Sequence, residues 1–146
     1  MESRFMARAI KLAREALLSG EIPVGAVVVK DGEIIGEGRN RREEKASAIS
    51  HAEIEAIRAA NKTLGDWRLD GCSIYVTLEP CLMCAGAIAA ARISEAVFGA
   101  YDSERGFVSS RADINALAGG KITVFGGIKE DECKSLIDEF FAEKRK

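Results

Sequence analysis

From Ser3 to Leu18 apolar side chains return every three or four positions, at Phe5, Met6, Ala9, Ile10, Ala13, Ala16 and Leu17. That spacing predicts an amphipathic helix that stops at Gly20. Ile22 to Val29 is rich in β-branched residues, Asp31-Gly32 is a two-residue turn signal, and Ile34-Ile35 resumes the apolar pattern toward Asn40, so an antiparallel hairpin is expected. A second helix is predicted from near His51 to about Asn61 on Ile54, Ile57 and Ala60, and a strand over Cys72 to Leu78. A third helix over Cys81 to Ala91 follows directly on Pro80, a residue suited to helix entry. Glu95 to Ala100 and Lys121 to Phe125 read as short strands, and between them only Ala112 to Leu117 suggests a turn of helix. Asp131 to Lys144 closes the pattern as an amphipathic helix burying Leu136, Ile137, Phe140 and Phe141.

Strands that alternate with helices imply an α/β fold with three layers, helix, sheet and helix. The hairpin makes the central sheet of about five strands mixed rather than all parallel. Residues 1–146 are expected to form a single domain, since the length suits one core and 47% of the residues are hydrophobic. No leader peptide and no apolar run of about 20 residues is present, so a soluble, cytoplasmic protein is expected. The formal charge of -2 gives no global attraction to nucleic acid, and any such contact has to be local.

The chemistry is concentrated in Ser50-His51-Ala52-Glu53, at a helix start, and Glu79-Pro80-Cys81-Leu82-Met83-Cys84, at a strand-to-helix junction. Cys81 and Cys84 are three apart, so on a helix their sulfurs share one side of the first turn, where the helix dipole favours thiolate. His51 supplies a nitrogen as third metal ligand. Three protein ligands leave one position of a tetrahedral zinc ion to water, which marks a catalytic site rather than a structural one. Two thiolates neutralise the ion, so the water benefits from a nearby base, and Glu53 is placed to be that base. The pattern H-x-E followed by P-C-x-x-C is a known signature of zinc deaminases that act on nucleobases.

Each piece has a plainer reading. A Cys-x-x-Cys entering a helix also describes a thioredoxin-like redox site. That reading leaves His51 and Glu53 unexplained, and the only prolines are Pro23 and Pro80, so no later proline faces the dithiol. A structural zinc site completed by Cys72 or Cys133 is the other, but these two are better read as small buried hydrophobes.

The sequence resembles the cytidine deaminase superfamily and, within it, the bacterial tRNA-specific adenosine deaminases. Besides the zinc motifs the likeness covers Ile22-Pro23-Val24-Gly25-Ala26-Val27, Gly36-Glu37-Gly38-Arg39-Asn40-Arg41, Tyr75-Val76-Thr77-Leu78-Glu79, Ala85-Gly86-Ala87-Ile88, Phe98-Gly99-Ala100 and the ending Asp131-Glu132-Cys133 through Phe140-Phe141. The resemblance implies that Asn40 orients the base and that the backbone beside Ala52 helps bind it. It implies a homodimer, with the pocket completed near the subunit interface, and conversion of the wobble adenosine of a tRNA anticodon loop to inosine. The likeness weakens at Ser103 to Ser110, where the family has a lysine and then a Gly-Ala-x-Gly-Ser run, and at Gly119-Gly120-Lys121-Ile122, which is shorter than in the family.

Two other functions compete with that implication. A free purine-base deaminase of guanine type would suit Phe107 and Val108 closing over a small ligand, together with the acidic balance. A catalytically silent RNA-binding or partner-binding relative is the third, disfavoured by the intact Glu53. An anticodon loop needs local cations, which Arg39, Arg41, Arg42 and Lys45, and the terminal Lys144, Arg145 and Lys146, are expected to provide.

Overall fold

The computed structural model describes residues 2–144. Helix α1 (Ser3–Leu18) leads into strands β1 (Gly25–Lys30) and β2 (Glu33–Arg39), helix α2 (Ala52–Leu64), strand β3 (Ser73–Leu78) and helix α3 (Leu82–Ala90). Strand β4 (Glu95–Ala100), the short α4 (Ile114–Ala118), β5 (Thr123–Phe125) and α5 (Glu130–Lys144) complete the order. The five strands form one mixed sheet in the order β2-β1-β3-β4-β5. β1 is antiparallel to β2 and β3, whereas β3, β4 and β5 run parallel. The hairpin turns where expected, with Asp31 at φ 50° and Gly32 at φ 77°, the paired positive φ values of a tight hairpin turn.

Both faces of the sheet are covered, so the central strands alternate between two cores rather than between core and solvent. Ala26, Val28, Ile74, Val76, Ala96 and Phe98 face the side of α2 and α3. Val27, Val29, Tyr75 and Val97 face α1 and α5, against Met6, Ile10 and Leu136. The three-layer α/β expectation therefore holds. Cys72 and Cys133 are buried among these apolar groups.

Some expectations move. Ile22 and Val24 stand outside the hairpin's first strand, which starts at Gly25 after Pro23, a residue without the N–H a ladder needs. On α5, Leu136 and Phe140 are buried, but Phe141 is 44% exposed rather than part of the core. Among the described residues no helix is long and apolar enough to cross a membrane.

The approach of α2 to the sheet edge positions the site. A Cβ on Gly38 would stand 2.3 Å from the carbonyl oxygen of Ala52 and 2.6 Å from the nitrogen of Ala56. Only glycine there lets the helix lie directly on β2, with its N-terminus at the end of that strand.

Candidate active site

The N-termini of α2 and α3 meet on one face of the sheet. His51 and Cys81 are the capping residues of the two helices, both with extended backbone, at φ -78°, ψ 156° and φ -75°, ψ 179°. Cys84 lies in the first turn of α3 and is fully buried. His51 Nδ1 is 3.7 Å from Cys81 Sγ and 3.5 Å from Cys84 Sγ, and the three ligand atoms all lie within 4.8 Å of one another. With zinc bonds of about 2.3 Å to sulfur and about 2.0 Å to nitrogen, a tetrahedral ion holds its N and S ligands about 3.6 Å apart. The group is thus spaced for zinc by its own geometry.

The electrostatics agree. A hydrogen bond from the Cys84 thiol, with His51 also contributing, holds the Cys81 thiol down at about 3. The same sulfur-sulfur contact, with burial, pushes Cys84 up. Two sulfurs this close ionise together only with a cation between them, which is what a metal supplies. His51 is raised, chiefly by its hydrogen bond to Cys81.

Glu53 lies on the first turn of α2, 4% exposed, and its burial pushes the carboxyl up to about 7. It lines a cavity of about 100 Å³ together with His51, Ala52 and Cys81, with Ile22, Val24, Asn40 and Arg42 from the segments flanking the hairpin, and with Leu78, Glu79, Asp102 and Arg105. Five of the six residues expected from the sequence line this cavity, and the sixth, Cys84, is buried with its sulfur 3.5 Å from His51 Nδ1. Asn40 is buried, and its amide donates to the Ile22 carbonyl oxygen (3.4 Å) and accepts from the Arg42 N–H (3.3 Å).

The cations expected beside Asn40 are mostly paired. Arg39 and Arg41 bind Glu44 at 3.0 and 3.4 Å, and Lys45 binds Glu55 at 2.8 Å. Arg42 has no such partner among the described residues and lines the cavity. Lys144 lies along a neighbouring groove with Asn40 and Arg42, while Arg145 and Lys146 lie outside the described residues. Phe107 and Val108 do not close over the cavity. Val108 is buried in the core on the α2 and α3 side and Phe107 packs against it. Asp102 and Arg105 were not legible as site residues, because the segment that carries them reaches the cavity only through tertiary folding.

Comparison with known proteins follows the same lines. Residues 1–100 match the cytidine and deoxycytidylate deaminase zinc-binding region. The chain is 44% identical to the tRNA-specific adenosine deaminase of Bacillus subtilis (strain 168), over 97% of this chain and 89% of the relative. A structure from a study of A-to-I editing by tRNA:A34 deaminases superposes with a TM-score of 0.89 at 40% identity, covering 92% of this chain and 99% of the other. The guanine deaminase of Bacillus subtilis superposes with a TM-score of 0.67 at 40% identity, covering 84% and 71%.

Proposed function

Because the chain belongs to the cytidine and deoxycytidylate deaminase zinc-binding family, we propose that it hydrolyses the exocyclic amine of the wobble adenosine in a tRNA anticodon loop, yielding inosine and ammonia. The observation that carries the chemistry is the His51, Cys81 and Cys84 triangle at zinc spacing with the buried Glu53 beside it. Identity of 44% over nearly the whole chain to a tRNA-specific adenosine deaminase supports the substrate. So does the shape of the site, because the cavity adjoins a wider groove of about 760 Å³ that includes Tyr101, Arg105, Lys134 and Phe141. A strand of RNA needs such a groove, and a free base does not.

In this reading His51, Cys81 and Cys84 hold one zinc ion. Bound there, zinc would lower the pKa of a water molecule and make it a nucleophile at neutral pH. Glu53 takes the proton that the water gives up, passes it to the ring nitrogen beside the amine-bearing carbon, and assists departure of ammonia. Asn40 and the backbone at Ala52, which line the same cavity, orient the base.

We also read the protein as a cytoplasmic homodimer. Helix α3 carries no charged residue, and Leu82, Gly86 and Ala90 are exposed on it, an apolar helix side that a second copy would cover. Light scattering at micromolar concentration giving twice the 15.7 kDa of the chain supports the dimer, and the monomer mass alone counts against it.

The function is tested by incubating zinc-loaded protein with an arginine tRNA bearing adenosine at the wobble position and, separately, with guanine, adenine and cytosine. Inosine in the tRNA with little ammonia from the bases is expected. Guanine deamination with untouched tRNA would replace the substrate, and no ammonia from any of them would favour a silent binding protein. Glu53→Ala should keep zinc and lose turnover, whereas His51→Ala should lose zinc as well.

A further inference from the structure

Glu79, between β3 and α3, lines the cavity but carries no step of the chemistry above, and at 2% exposed it has a whole segment folded onto it. Its Oε1 accepts from the Asp102 N–H at 3.1 Å and from the Ser110 hydroxyl. Its Oε2 accepts from the N–H groups of Val108 (3.2 Å), Ser109 (2.8 Å) and Ser110 (2.8 Å). Both ends of the 102–110 segment thus converge on one carboxylate. Gly106, midway along, passes so close that a Cβ there would lie 2.3 Å from the Glu79 carboxyl carbon. Within the segment, Asp102 Oδ1 accepts from the N–H groups of Glu104 (3.1 Å) and Arg105 (3.0 Å), and the Phe107 N–H donates to the Pro80 carbonyl oxygen at 2.9 Å.

Only an ionised carboxylate offers acceptors on both oxygens, so no other side chain of this size satisfies that set of donors. What the clamp presents is Arg105. This residue lines both the base cavity and the wider groove beside it, and no hydrogen bond or ion pair engages its guanidinium among the described residues. A cation whose backbone is pinned between a base pocket and a strand-sized groove, and whose guanidinium is exposed, is suited to a backbone phosphate.

We propose that Glu79 is a positioning residue for substrate selection: it folds the 102–110 segment into a wall that holds Arg105 where a phosphate flanking the target base passes. The proposal rests on the RNA reading above. Glu79→Gln turns an amide donor toward backbone donors and leaves them unpaired. Gly106→Ala disturbs the same clamp from the other side, far along the chain from the zinc ligands. Arg105→Ala removes the group being positioned.

The test measures kcat and KM on an anticodon stem-loop RNA with adenosine at the wobble position, zinc content, and hydrogen exchange of the segment's amides, all on zinc-loaded protein. Glu79→Gln and Gly106→Ala should raise KM about tenfold, the scale of one charge-assisted contact, and leave kcat within about threefold. Zinc content should stay unchanged, and the amides of Asp102, Val108, Ser109 and Ser110 should exchange faster. Arg105→Ala should raise KM equally with normal exchange, and should add nothing further in the Glu79→Gln background. Unchanged KM, or a fall in kcat alone, in a variant whose amides are deprotected would overturn the proposal. If Glu79→Gln loses zinc or fails to fold, Gly106→Ala is decided by the same criteria. A wild-type protein that deaminates guanine and ignores the RNA overturns the RNA reading and the phosphate role of Arg105 with it. The clamp is then judged on exchange alone, where full protection in Glu79→Gln rejects it.

Discussion

Arg8 on α1 grips Glu37 on β2 with two hydrogen bonds, 2.6 Å from Nε to Oε2 and 2.8 Å from Nη2 to Oε1. The pair ties the first helix to the edge strand. The Arg8 hydrogen bond holds the Glu37 carboxyl below its ordinary 4.5, so the group is more acidic folded than unfolded. Its contribution is then full above about pH 4.5 and is lost as pH falls through the folded value. Both side chains are about one-third exposed, which limits the pair to about 0.5–1 kcal/mol. Glu37→Gln should lower stability by that amount at pH 7, and the gap should narrow in denaturant titrations carried down from pH 4.5 through the folded value of Glu37. A gap of constant size across this range would show that the charge pair is not its source.

Gly38→Ala should be more damaging than its size suggests. The new Cβ would meet the backbone of α2 at Ala52 and Ala56, so the helix has to lift from the sheet, costing about 1–3 kcal/mol. Because that helix begins at His51 and carries Glu53, zinc affinity should fall along with stability. Chemical denaturation and metal titration of the variant measure both, and an undisturbed zinc affinity would show that the helix start moves independently of its contact with β2.

The elements that periodicity governs were legible in the chain, and the reasons are visible in the structure. Helix α1 and strand β4 have the boundaries their patterns imply, since each buries its apolar residues without competition. The zinc group was legible too, because His51 and the Cys81, Cys84 pair sit at helix starts, where sequence spacing maps directly onto direction. Ile22 and Val24 were misplaced because an apolar, β-branched stretch reads as strand whether it lines a sheet or a pocket. Phe141 was assigned to the core because it lies next to Phe140, yet successive helical positions point 100° apart and only one of the two faces the sheet. The buried Glu21, whose two oxygens accept from the Glu43 and Glu44 N–H groups at 3.1 and 2.8 Å, shows the harder limit. An acidic side chain that organises a loop 22 residues away has no local pattern to announce it.

Zinc should act as a structural ligand as well as a catalytic one. Ligand bound only to the folded state adds RT ln(1 + [L]/Kd), about 4 kcal/mol at a thousandfold excess over Kd. Zinc-loaded protein should therefore melt well above the same protein stripped by a chelator. Cys84→Ser removes a buried ligand and should erase most of that difference. A variant that keeps the full zinc-dependent shift would remove Cys84 from the ligand set.

Arg41 and Arg42 are neighbours with different prospects. Arg41 lies 3.4 Å from Glu44, whereas Arg42 lines the cavity, has no ion-pair partner among the described residues, and is close enough to His51 to oppose slightly the rise that the hydrogen bond to Cys81 gives that imidazole. A guanidinium already paired with a carboxylate has little charge left for a phosphate, because binding would require it to exchange one anion for another. If the substrate is RNA, Arg42→Ala should weaken binding of an anticodon stem-loop at low salt and reduce the slope of log K against log[salt] by about 0.7, the release expected for one single-strand phosphate contact. Arg41→Ala should change both much less. Glu44→Gln frees Arg39 and Arg41 together, so it should tighten RNA binding and steepen the same slope. Equal effects of Arg41→Ala and Arg42→Ala would mean that the 41–46 loop acts as an undifferentiated patch of charge, and no effect of either would leave the phosphates to Arg105, the other arginine lining the cavity.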